Sequence, residues 1–307
     1  MRKNKSFRPS DPAALEPRVV LSAGASALTL YKADLPGNVQ AVLSPLTGQT
    51  YNAFYNSGYS SSFSLSQGGP AQFNIIQGSL VTAINNTAPQ LADLLAPLKK
   101  SANITATVQT EIANLSTETN NILNQLATTM TTVGGVTKVD SASASLAEHA
   151  IVSMENTASL AIGNQVYLFL HGAGISTKPG KAFLSSRVAA YNSALAAPFA
   201  QLTTGLQTAY ASYVTSLDTA TFESAVFSQL GTLTASVTRT FAANGIRAAA
   251  AGAAATQVTG LDSGSVYQVI TDLTSSLGTT YPAGFVNAVI GDVDSVLQTD
   301  LAATGGA

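Results

Sequence analysis

The sequence predicts an all-α fold, an elongated bundle of long amphipathic helices behind an irregular, short-stranded amino-terminal part. Three observations predict it. Apolar side chains recur at steps of three and four residues through most of the chain beyond residue 70, the period of a helix that buries one stripe. Hydrophobic residues make up 46% of the 307 and charged residues only 10%, against roughly 25% charge in ordinary globular chains. The polar faces must therefore be built from Ser, Thr, Asn and Gln. Before residue 70 the composition differs, and the chain divides into a signal-like segment over 1–34, an uncharged aromatic and Ser/Gly-rich segment over 35–69, and the helical bundle over 70–307.

The first segment opens on a basic cluster, Arg2, Lys3, Lys5 and Arg8, followed by the modestly apolar stretch Val19 to Leu30 with small residues Ala23, Ala25 and Ala27. That order is shaped like an export signal, although Asp11, Glu16, Pro17 and Arg18 interrupt it. Leu15, Glu16, Pro17, Arg18 and Leu21 then stand in a nine-residue string that resembles the LEPR-XLL motif, found near the amino termini of bacterial exported and surface proteins. Val20 stands where that motif usually carries Leu. The resemblance implies localisation at the cell surface or outside the cell, and it implies nothing about fold or chemistry.

Between Leu35 and Ala92 there is no charged residue. The string from Tyr51 to Phe63 mixes aromatic side chains with Asn, Ser and Gly, a composition that favours short strands or a loop over helix. Tyr51, Phe54, Tyr55, Tyr59 and Phe63 are the candidate interaction patch there, for a second copy or a sugar.

Within the bundle, Pro89 and Pro97 are expected to divide Asn74 to Leu98 into shorter helices. Ile104, Val108, Ile112, Leu115, Ile122, Leu126, Met130 and Val133 trace one long seam with Thr119 filling its gap, stopped at Gly134 and Gly135. A helix capped by Asp140 or Ser141 then carries Leu146, Ile151, Met154, Leu160 and Ile162 and should end before Gly172. The most regular run, from Leu184 to Leu217, predicts a rod about 50 Å long, bent at Pro198. After a turn at Asp218 and Thr219, further stripes follow at Val226 to Phe241, Val266 to Leu277 and Val289 to Leu301. The alanine tract Ala248 to Ala255 fits either a close helix crossing or a flexible connection.

Chemistry is sparse. The chain has no Cys, which excludes disulfides, thiolate catalysis and cysteine-held metals. A net charge of −2 without a basic stripe past the amino terminus excludes nucleic-acid binding by counterion release. No run of about 18 apolar residues predicts a membrane-spanning helix. His171 with Gly172 and Gly174 is similar to an α/β-hydrolase oxyanion turn, but no Gly-x-Ser-x-Gly elbow and no later His accompany it. Glu148, His149 and Glu155 share a helix side, yet a metal site needs more converging ligands, so they are expected to form a solvated polar face. Accordingly no catalytic, cofactor-binding or metal-ligating residue is predicted, and no cofactor.

The function these features predict is non-enzymatic: an exported or cell-surface structural or interaction protein whose partners are further copies of itself or other envelope components. A peripheral lipid-binding helical protein is the first alternative, weakened by the scarcity of Lys and Arg on the polar faces. A hydrolase working with carboxylates alone is the second.

Overall fold

The computed structural model describes residues 27–56, 70–133, 136–172, 183–243, 248–275 and 282–304. Its elements are α1 (Ala27–Leu43), α2 (Pro45–Asn56), α3 (Pro70–Leu95), α4 (Ala102–Thr128), β1 (Thr131–Val133), β2 (Val136–Lys138), α5 (Ser141–Gly172), α6 (Phe183–Ser216), α7 (Thr219–Ala243), α8 (Ala248–Thr259), a 3-10 turn over Gly260–Ser263, α9 (Ser265–Ser275) and α10 (Pro282–Thr304). The fold class is all-α, as the periodicity predicts.

Buried stripes fall where the three-and-four spacing puts them. In α4, Ile104, Val108, Ile112, Leu115, Ile122 and Leu126 are buried, and Thr119 occupies the gap in the seam at 0% exposure. In α7, Phe222, Val226, Leu230, Leu233, Val237 and Phe241 form one unbroken apolar face. This face lies against α6, whose Leu202, Leu206, Tyr210 and Tyr213 answer it. Leu217 turns the chain between the two helices in the left-handed conformation, at φ 54°. Asp218 then caps α7, accepting the Thr221 backbone N–H at 3.1 Å. The alanine tract is helix, with Ala250, Ala251 and Ala254 buried against α7 and α10, so small side chains serve close packing here.

The sequence reading needs correction in four places. Residues 35–56 are helical rather than irregular or short-stranded, because Leu46, Thr50 and Phe54 recur every four positions and bury against α3 and α5. Tertiary burial of that stripe overrides the weak local preference of Asn, Tyr and Gly, and Pro45 suits the first turn of a helix. Pro89 does not divide α3. Both Pro89 and Asn85, four residues before it, lie on the exposed side, where water can satisfy the carbonyl that loses its donor. The helix α5 runs through Gly172 instead of ending before it. Finally, α4 ends at Thr128, short of the seam residues Met130 and Val133, and Val133 lies instead in a two-stranded hairpin with Thr132 opposite Thr137. Its β-branched residues around a Gly-Gly dipeptide suit strand pairing.

Two apolar clusters make the core. One joins α1, the first residue pair of α2, the later part of α3, the first half of α4 and the last half of α5, through Leu35, Val39, Ile84, Leu91, Val108 and Val166 among others. The other joins Phe54 of α2, the first part of α3, the end of α4 and the first half of α5 to α6–α10, and holds Phe222 against Tyr213 and Phe285 at ring-centroid distances of 4.7 and 5.2 Å. The helices α2, α3, α4 and α5 contribute to both clusters, and Met154 of α5 packs against the two at once. Among the described residues no helix is long and apolar enough to cross a membrane.

Candidate functional site

The polar groups of the molecule concentrate around the middle of α5. On the side toward α10, Gly291 sits where an added Cβ would stand 2.8 Å from the Ser153 Cβ, so α5 and α10 approach closely. That approach brings Asp292, itself buried, onto two α5 side chains. Ser153 donates its hydroxyl to Asp292 Oδ1 at 2.6 Å, and His149 Nε2 lies 3.0 Å from Oδ2. Burial works against charge on His149, but the hydrogen bond to Asp292 and the nearby carboxylates of Asp292, Asp272 and Glu148 outweigh it and raise its pKa above the usual 6.5.

One turn earlier, Ser145 donates to Asp272 of α9 at 2.9 Å, and Gln268 donates to the same carboxylate at 2.8 Å. Glu148 lies beside this group. Burial, followed by the negative charge of Asp272, pushes the Glu148 carboxyl up to about 7.

On the side toward α2, Glu155 is 2% exposed. Its Oε1 accepts the Thr50 hydroxyl at 2.6 Å, whereas Oε2 has no hydrogen-bond partner among the described residues. Burial raises this carboxyl to about 7 against the opposing effect of the Thr50 bond. Tyr51, next to Thr50, has its hydroxyl pKa raised by burial and then by Glu148 and Glu155.

A cleft of about 410 Å³ opens as a wedge between α4, α5 and α10. Leu115, Met154 and Ile290 give it an apolar floor, and Glu111, Glu118 and Asp294 stand on its walls. Asp294 is raised to about 6 by burial, partly offset by its bond to Gln298, with the Glu111 charge raising it further. Gln298 also accepts from Asn164 at 2.9 Å.

The expected solvated face of Glu148, His149 and Glu155 is therefore not what forms: each is largely withdrawn from water, against α9, α10 and α2 respectively. Asp272, Asp292 and Asp294 lie more than 110 positions away in sequence, and no periodicity within α5 announces them. Spacing within one helix gave Glu148 and Glu155 a common side; which neighbours cover that side is a property of packing. Among the described residues no group of three or more His, Asp and Glu is placed to hold a metal ion.

Of the aromatic patch, Phe54 is a core residue at 0% exposure, because it occupies the buried stripe of α2. Tyr51 and Tyr55 are half exposed, and Tyr59 and Phe63 lie outside the described residues. The LEPR-like residues Leu15 to Leu21 also lie outside them, as does the Ala173–Gly174 part of the turn after His171. The chain matches no protein-family model, no curated protein and no solved structure.

Proposed function

We propose that the chain is a non-enzymatic, exported or cell-surface interaction protein that works by contact of its uncharged helical faces, with further copies of itself or with other components of the envelope. The observation that carries the reading is how the exposed threonines are bonded. Thr107 and Thr117 on α4, Thr208 and Thr215 on α6, Thr232 on α7 and Thr256 on α8 each donate the hydroxyl to the carbonyl four residues earlier in the same helix, at 2.9 to 3.1 Å. The hydroxyl proton is thereby satisfied within the helix and the methyl group is left as the outward part of the side chain. Laying one such face on another strips little charge hydration and meets little like-charge repulsion. On α6 the face made by Thr204, Thr208, Ala211 and Thr215 forms a shallow trough of this kind.

The amino-terminal resemblance to LEPR-XLL proteins supports the location, and the low charge of the chain supports association. Sedimentation of the full chain over a micromolar range tests the contact: assemblies larger than the 31.2 kDa monomer, little affected by salt and dispersed by Thr208→Arg with Thr215→Arg, are expected. A monomer at every concentration, together with a protein found only in the cytosolic fraction of the source cells, would refute the reading.

A further inference from the structure

We propose that the packing around α5 is a pH-operated clasp, in which Glu155 of α5 holds α2 on one side and Asp294 of α10 holds the wedge between α4, α5 and α10 on the other when these carboxyl groups carry protons, and release them on ionisation. The placement of the groups carries this. Glu155 is 2% exposed with one carboxyl oxygen lacking any hydrogen-bond partner among the described residues, an arrangement that suits a neutral carboxyl far better than a charged one. From α2 it is faced by Thr50 and Tyr51, neither of them cationic. Asp294 is faced across the wedge by Glu111, with Glu118 on the same wall, and by Gln298 on its own helix.

Around the remaining contacts of α5 the compensation is equally thin. Glu148 meets Asp272 from α9, its neighbour His149 and Tyr51, and Asp292 of α10 meets His149 and Ser153. The contact with α1 is made through the Gln40 amide, which accepts from Ser159. Among the described residues, no Lys or Arg is among the charges acting on Glu148, Glu155 or Asp294.

The direction follows from linkage. A carboxyl whose folded-state pKa stands above its unfolded value stabilises the closed form fully below the unfolded value, near 4.5 for Glu, and loses that contribution as the pH rises through the folded value, about 7 for Glu155. A rise of that size changes the closing equilibrium by up to about 300-fold for one group, the factor corresponding to about 2.5 pKa units. By contrast the buried face of α7 is wholly apolar and has nothing to titrate. The clasp is thus expected to open locally while the contact of α6 with α7 stays shut, and it operates whether or not copies associate.

Hydrogen exchange of the full chain, corrected for the intrinsic pH dependence of amide exchange, tests it. Between pH 5.5 and pH 8 protection should fall at least about ten-fold over 46–56 and about four-fold over 286–298, while protection over 222–241 changes less than about two-fold. Glu155→Gln should abolish the change in α2 and leave that in α10, and Asp294→Asn should leave the change in α2 and reduce that in α10 to the part contributed by His149 against Asp292. If either variant fails to fold, the melting temperature of His149→Gln, which lacks the other pH-dependent contact, decides: it must still be higher at pH 5.5 than at pH 8. Protection or melting temperature that is flat or rises over this range overturns the proposal, as do variants that keep the full pH dependence.

Discussion

The imidazole of His149 and the carboxylate of Asp292, 143 residues apart in sequence, meet between α5 and α10 with Nε2 3.0 Å from Oδ2 and 3.1 Å from Oδ1. Ser153, one turn after His149, completes the contact on the same carboxylate. One acceptor thereby ties two turns of α5 to α10 at the point where Gly291 lets the helices approach.

Removing that acceptor should be costly, because it leaves a buried hydroxyl and an imidazole unpaired. Asp292→Ala is expected to lower stability by about 2–4 kcal/mol, read as a shift in the urea midpoint at unchanged slope. The His149 partner has a signed pH dependence. Its folded pKa is raised above 6.5, so its contribution is complete below pH 6.5 and disappears as the pH rises through the folded value. His149→Gln should therefore cost about 1–2 kcal/mol at pH 6 and less than half of that at pH 9. An equal loss at both values would show that the imidazolium form contributes nothing.

Gly291 and Gly231 are both helical, and the same substitution should act on them in opposite directions. A methyl group at Gly291 would lie 2.8 Å from the Ser153 Cβ and 3.3 Å from its backbone carbon, neither of which can move without moving α5. Gly291→Ala should destabilise by about 1–3 kcal/mol through overpacking. At Gly231 a Cβ meets nothing within 4 Å, and Gly231→Ala should stabilise by about 0.5–1 kcal/mol through reduced freedom of the unfolded chain. Thermal melts of the two variants side by side distinguish packing from propensity.

Adjacent residues of α3 offer a test of its orientation. Ile76 is fully buried while Ile75 is 64% exposed. Ile76→Ala should cost about 2–5 kcal/mol and Ile75→Ala less than about 0.5 kcal/mol. Comparable losses at the two positions would mean that α3 packs in a different rotation.

The start of α5 rests on Asp140, whose Oδ2 accepts the Ser143 backbone N–H at 2.9 Å and the Ser143 hydroxyl at 3.1 Å. Asp140→Ala should cost about 1 kcal/mol and Asp140→Asn substantially less, since Asn retains the capping oxygen. Chemical denaturation of both variants at neutral pH measures the difference.

Periodicity alone located the main buried stripes, Ile104 to Leu126 in α4, Val226 to Phe241 in α7 and Val289 to Leu297 in α10, because a helix repeats every 3.6 positions whatever it packs against, but it missed Leu123, Phe222 and Phe285, which are also buried. The same logic read α2 wrongly. There the stripe is only three residues long, Leu46, Thr50 and Phe54, one of them polar, and it competed with a Tyr-, Asn- and Ser-rich composition that points away from helix. Pro89 misled for a related reason: a proline is tolerated inside a helix more readily where the carbonyl it deprives can reach water, and which side of α3 faces water is set by tertiary packing.

The candidate site was legible only as fragments. Glu148, His149 and Glu155 share α5, so their common side could be inferred, but whether it met solvent or neighbouring helices could not. The sequence by itself determined an all-helical chain with little charge and one stripe per helix to bury. Which stripes pair, and therefore that Asp272, Asp292, Asp294 and Thr50 close over the middle of α5, was decided by tertiary packing, since side chains on separate helices acquire neighbours only when the apolar faces beside them come together out of water.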